Sequence, residues 1–224
     1  MLKPAKRLTK KQIKEDKLVT TYFRAMDYIK QNQKIVTIGV AAVVIITSLL
    51  ILFARSKRNA EKYAAVELTK ARVAIQQNNI DSATDILTSL VNNYSGTRNA
   101  GRAVYYLGNI NYGKGDYDAA LSYFENYIDD YKDNDILTSS AYSGLAACHE
   151  QRGNYLEAAK IYESAVDKFP KHFEAPEQLM SAARCYRLAN VKNKAQEMYQ
   201  RIIDHYPDSD FKKDAEIYAS MLQS

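Results

Sequence analysis

Side chains able to do covalent, metal or proton-transfer chemistry are sparse in this chain, and they do not gather. There are two cysteines, Cys148 and Cys185, and three histidines, His149, His172 and His205. Cys148-His149 is a single neighbour pair, short of the three or four ligands that a metal site assembles. No glycine-rich phosphate loop, nucleophile elbow or HExxH run occurs. Asp129-Asp130 is a carboxylate pair of the kind that is solvated at a helix end. The residues therefore predict no enzyme, no catalytic side chain, no metal and no cofactor. What remains is recognition chemistry: the chain has 18 tyrosines and no tryptophan.

The elements that must position these residues repeat. Ala83, Ala120, Ala158 and Ala195 recur at intervals of 37 to 38 residues, each four residues before a bulky side chain, Leu87, Phe124, Tyr162 or Tyr199. Each unit closes on an aromatic: Tyr94, Tyr131, Phe169 and Tyr206, the last two followed by Pro170 and Pro207. A fixed period in this range marks a solenoid. In the clearest unit, Val104, Leu107, Gly108 and Asn111 share one helical face. Gly115 breaks the helix and Asp116 is a predicted N-cap for the next one, whose inner face carries Ala120, Phe124, Tyr127 and Ile128. Gly108 and Ala120 allow the two helices to approach closely. Phe211, Ala215, Tyr218 and Leu222 form a last helical stripe, predicted to cover the open end of the solenoid. Tyr117, Tyr131, Tyr155, Tyr162, Tyr199 and Tyr206 fall at repeated positions and are read as core.

Cys148 and Cys185 occupy the same position in adjacent units, matching Ile110. Equivalent helices pack roughly 8–10 Å apart or more, whereas a disulfide needs Cα atoms within about 7 Å. Two buried free thiols are expected, with a disulfide as the alternative.

Ile35 to Phe53 reads IVTIGVAAVVIITSLLILF, without charge or proline. As a helix it spans roughly 28 Å, close to a hydrocarbon core of about 30 Å. A buried core helix is the competing reading, opposed by basic residues on both flanks. A cleaved signal peptide is opposed by the 34-residue leader, the long apolar run and the lack of a small-x-small site at Ala54-Arg55-Ser56-Lys57. Without a cysteine at its end, the run does not suit lipoprotein processing.

Residues 1–34 carry ten Lys/Arg against three acids, while residues 55–224 carry 21 basic and 23 acidic residues. The net charge of +5 thus belongs to the tail. A nucleic-acid partner, which wants a basic face on the domain, is not expected. The basic tail favours a cytoplasmic N-terminus. Within it Leu18, Val19, Tyr22, Phe23, Met26 and Ile29 recur at helical spacing, as an amphipathic surface helix or as a plain extension of the spanning helix.

The repeats resemble the tetratricopeptide repeat (TPR) family on Leu107-Gly108, Gly115, Tyr117, Ala120 and Phe124. The next unit matches with Leu145, Ala146, Gly153, Tyr155, Ala158, Tyr162, Ala165 and Pro170. The fourth keeps Ala183, Ala195, Tyr199, Ile202 and Pro207 but has Asn190 for the turn glycine. The first has Lys70 at the leucine position and Asn78 for glycine. The period exceeds the family's usual 34 residues, and the surplus is assigned to the second helix and the link. This longer form, with its aromatic-Pro-x-Ser ending, is similar to repeats of bacterial envelope proteins of the YbgF and BamD families. Those are released or lipid-anchored, and the layout of basic tail, single span and repeats is more similar to the YfgM-like inner-membrane proteins, which accompany the export channel and periplasmic chaperones.

The resemblance implies an all-α fold: one N-terminal transmembrane helix, then a TPR α-solenoid of about four helix pairs and a C-terminal capping helix. The expected layout is a basic cytoplasmic tail over 1–34, a signal anchor over 35–53 and a repeat domain over 55–224. Repeats fall near 64–95, 101–132, 139–170 and 176–207, and the cap near 208–222. In such repeats the concave face is lined by positions flanking the core stripe of each first helix. Those positions are Arg102, Tyr105, Asn109 and Tyr112; then Ser143, Ala147 and Glu150; then Glu177, Met180, Arg184 and Arg187. Candidate partner-binding residues are Arg102, Tyr105, Asn109, Tyr112, Glu150, Met180, Arg184 and Arg187. A solvated face with no ligand is the competing reading.

The implied function is a membrane-anchored scaffold or adaptor in the bacterial inner membrane, with periplasmic repeats binding a protein partner in export, folding or envelope assembly. One alternative is a cytosol-facing peptide receptor whose Arg102, Arg184 and Arg187 clamp a carboxylate. Another is a structural organiser that forms a homo-oligomer through the repeat domain.

Overall fold

The computed structural model describes residues 10–132 and 134–223, with side chains from residue 19 to 222. The first nine residues, with Lys3, Lys6 and Arg7 of the basic tail, lie outside the described part, as does the Leu18 side chain. Among the described residues the structure is all-helical. The helices are α1 (Lys10–Gln31), α2 (Gln33–Gln76), α3 (Ile80–Asn93), α4 (Arg98–Gly113), α5 (Tyr117–Asn126), α6 (Asp135–Gln151), α7 (Tyr155–Lys168), α8 (Ala175–Leu188), α9 (Lys192–His205) and α10 (Lys212–Gln223). A π-helical turn, Tyr127–Tyr131, follows α5. The chain divides into two compact units, residues 1–56 and 57–224.

In the first unit, α1 ends one residue before α2 begins. Helical hydrogen bonds nevertheless run through Asn32, from its N–H to the Tyr28 carbonyl and from the Val36 N–H to its own carbonyl. Helix α2 is long and apolar enough to cross a membrane by length and composition. Its large apolar side chains from Ile35 to Phe53 are exposed apart from the half-buried Val36, both end residues at 69%.

The second unit is a series of helix pairs: the end of α2 with α3, α4 with α5, α6 with α7, α8 with α9, then α10. Three-residue turns join the members of each pair, at residues 77–79, 114–116, 152–154 and 189–191. The middle residue of every turn lies in the left-handed region: Asn78 at φ 57°, Gly115 at 79°, Gly153 at 77° and Asn190 at 60°. The following N–H reaches back to the carbonyl five residues earlier, as in Asp116 to Asn111 and Val191 to Tyr186, closing a Schellman motif. Asparagine is one of few side chains that tolerates this conformation, so Asn78 and Asn190 replace glycine without changing the turn. Asp116 caps α5 by accepting from the Ala119 N–H.

The surplus over a 34-residue period lies largely in the links 169–174 and 206–211, and in the second repeat in the π-helical turn, which brings Tyr127 into the core. Glu61 reaches across from α2 and accepts from the Arg98 and Asn99 N–H groups at 2.9 and 3.2 Å. It thereby caps α4 from a neighbouring repeat.

The core runs between pairs. Leu107 packs among Ala64, Leu68, Ala71, Leu87 and Leu90 of the first repeat, and Leu145 packs on Val104, Leu121 and Phe124 of the second. This leucine position therefore faces the preceding repeat. Lys70 occupies it in the first repeat, where it is exposed and pairs with Glu67 at 2.7 Å. At the other end Ala215 and Ala219 of α10 are buried against the last pair, with Phe211 and Leu222 beside them. Tyr162 and Tyr199 are core residues as expected, whereas Tyr117, Tyr131, Tyr155 and Tyr206 are only half-buried. Cys148 and Cys185 are free and fully buried, in different parts of the core.

Candidate functional site

The first helices of repeats two to four, α4, α6 and α8, enclose a cleft of about 280 Å³. Its floor is the Phe124 ring, lodged between two glycines. A Cβ on Gly108 would come within 2.8 Å of the ring, and one on Gly144 within 2.5 Å, so α4 and α6 can flank the ring only because both positions lack a side chain. Tyr105 meets Phe124 edge-on with centroids 6.0 Å apart, and Tyr112 leans on Tyr117 at 5.5 Å. Burial raises the Tyr112 hydroxyl above its ordinary pKa, and the Gln151 side chain partly offsets this. Burial also raises Tyr162, at the back of the cleft.

The α8 wall is polar. Gln178 is 2% exposed. Its Nε2 donates to Ser139 Oγ at 3.0 Å and to Ser143 Oγ at 2.7 Å, tying α8 to α6. Its Oε1 is buried with no hydrogen-bond partner. Glu174 accepts from Ser140 Oγ at 3.1 Å.

Of the sequence-predicted residues, Tyr105, Asn109 and Tyr112 line this cleft together. Glu150 and Arg184 instead hold each other. Arg184 Nε and Nη2 each donate to a Glu150 carboxylate oxygen at 3.0 Å, and that hydrogen bonding raises the Arg184 pKa. An arginine held in a bidentate pair has its fork occupied, so Arg184 is not free to clamp a carboxylate. Arg187 lies over the Tyr218 ring at 5.6 Å. Arg102 lies 3.4 Å from Asn99 Oδ1 and outside the cleft lining. Met180 is partly buried against the C-terminal core.

Sequence reasoning missed Gln178, Gly144, Ser140 and Glu174. One signal was present. Counted back from the turn, Gln178 occupies the position of Ala103 and Ala141, both fully buried. A long amide in an alanine slot marks a polar substitution in the core stripe.

Residues 99–171 match a model described as tetratricopeptide repeat, and residues 179–209 match another of the same description. These segments are tetratricopeptide repeats. Solved structures with the same fold include a tetratricopeptide repeat protein from Parabacteroides merdae, at TM-score 0.60 and 14% identity over 71% of this chain and 60% of that one. A MamA double mutant superposes at TM-score 0.57 and 15% identity, covering 71% and 82%. MamA from residue 41 onward, from Desulfovibrio magneticus, gives 0.55 and 15%, covering 71% and 90%. At such identities the likeness is one of fold. No curated protein matches the chain. Tetratricopeptide repeats mediate protein–protein interaction and are typically non-enzymatic.

Proposed function

We propose that this TPR protein is a scaffold anchored in a bacterial inner membrane, holding a protein partner beside that membrane through its first-helix face. The observation that carries the reading is the Ile35–Phe53 stretch. It exposes a run of large apolar side chains on a helix whose last turns, through Ala64, Leu68, Ala71 and Ala74, belong to the first repeat. Exposed apolar surface of this extent is unfavourable in water and marks a membrane or protein contact. Basic residues before the run and Arg55, Lys57 and Arg58 after it suit two headgroup layers.

The ten basic residues of the tail favour a cytoplasmic N-terminus and extracytoplasmic repeats. A partner in export, folding or envelope assembly follows from that side of the membrane. Protease added to spheroplasts should digest the repeat domain. Digestion only after the inner membrane is lysed would reverse the orientation and return the cytosol-facing reading.

A further inference from the structure

We infer that the cleft between α4, α6 and α8 takes the cationic side chain of a lysine or arginine, presented by an extended segment of the partner protein. Two independent features point to this ligand. The first is charge. Glu174 and Glu177 line the cleft and no lysine, arginine or histidine does. The nearby Arg184 is turned into its pair with Glu150. His172 Nδ1 lies 3.8 Å from the Glu174 carboxylate. That same nitrogen accepts from the Glu174 backbone N–H at 3.3 Å. The Ser140 hydroxyl is a neutral donor and does not cancel the carboxylate charge.

The second feature is a buried amide in the cleft lining whose acceptor oxygen is unpaired. Gln178 spends both donor contacts on Ser139 and Ser143, and its Oε1 has no partner. A buried acceptor left without a donor is unfavourable. An ammonium or guanidinium group supplies the missing donor and the compensating charge together. The Tyr105 and Tyr112 rings add faces on which a cation is attracted, and their hydrocarbon surface suits the apolar stem of such a side chain. A carboxylate ligand would meet Glu174, Glu177 and an acceptor oxygen, all unfavourable. The ligand is thus opposite in charge to the one an arginine clamp would select.

This deepens the scaffold reading and rests on it only in requiring that a partner segment reach the cleft. The test uses the full-length chain in detergent micelles and end-blocked, fluorescently labelled decapeptides of Gly, Ser and Ala whose central residue is Lys, Arg, norleucine or Glu. Fluorescence anisotropy should show Lys and Arg peptides binding about tenfold more tightly than norleucine, with Glu weakest, as expected when a desolvated cation meets carboxylates and ring faces. E177Q and Q178M should each remove much of the lysine advantage, and E177Q, at an exposed position, should leave the melting temperature unchanged. Equal binding of all four peptides, or a lysine preference untouched by both variants, overturns the assignment. Photocrosslinking from Ser181 in intact membranes scores the scaffold reading separately. A client adduct there without a lysine preference removes the cation assignment alone; no adduct and no peptide binding removes both.

Discussion

Phe124 shows how single residues set the cleft. Its ring fills the space that Gly108 and Gly144 leave empty. Gly144→Ala places a methyl group inside the ring's contact distance and should destabilise by about 1–3 kcal/mol, as overpacking does. Phe124→Leu added to it should restore part of that loss, and urea unfolding of the single and double variants measures the coupling. The thiols make a second case. Burial pushes Cys148 up to about 11 and Cys185 up to about 12 from an ordinary value near 9. Above pH 9 the unfolded chain gives up these protons while the folded chain keeps them, so stability falls as pH rises. Their contribution is intact below pH 9 and lost through the folded values. The melting temperature should therefore drop between pH 9 and 10.5, and less steeply in the Cys148→Ala/Cys185→Ala variant. Neither thiol should react with a maleimide in the native protein, and both should after denaturation. The repeat register made the thiols legible, because it put both cysteines at one core position. Gly144 was not legible: its role depends on a ring from another helix, and a lone glycine in a helical stretch says nothing of what approaches it.

The helices themselves were largely legible, because small residues at fixed spacing and left-handed turns are local signals. The Asn78 and Asn190 turns mark the edge of what a glycine pattern detects. Conformation was retained while residue type changed. Asn190→Ala puts a Cβ-bearing residue without asparagine's local hydrogen bonding at φ 60° and should cost about 1–2 kcal/mol, whereas Asn190→Gly should be neutral or stabilising. Thermal melts of the two variants decide this. The π-helical turn after α5 and the Gln178 bridge were not legible. Each depends on a partner helix, Tyr127 on the core it enters and Gln178 on the two serines of α6. Ala120 and Ala158 lie where paired helices meet, both fully buried. Ala120→Glu or Ala158→Glu buries an unpaired charge and should cost several kcal/mol, against a whole-domain margin of about 5–15 kcal/mol. Neighbouring repeats should weaken with it, because each buries the next one's leucine face. Hydrogen exchange resolved by repeat would show the loss spreading outward from the altered pair.

For the molecule as a whole, the cleft-lining side chains and the core side chains should separate in their effects. Tyr112 is half-buried and Arg184 exposed. Arg184→Ala leaves Glu150, whose side chain is only 17% exposed, without its bidentate partner, so its melting temperature should fall modestly, by more than the loss of a fully exposed pair would cause. Tyr112→Ala should weaken partner binding by more than about 1 kcal/mol if the first-helix face carries the partner. The candidate site was half legible. Tyr105, Asn109 and Tyr112 follow from the repeat geometry, but the arginines assigned to the same face find partners within the protein, and no periodicity announces that. The central claim is that a membrane-held repeat domain binds its partner through the face of α4, α6 and α8. Photocrosslinkers placed one at a time at Asn109, Ser181, Glu125, Lys160 and Gln200 in intact membranes test it most directly. The account predicts adducts to one protein from Asn109 and Ser181 and none from the exposed positions on α5, α7 and α9. Adducts confined to Glu125, Lys160 and Gln200 would contradict it.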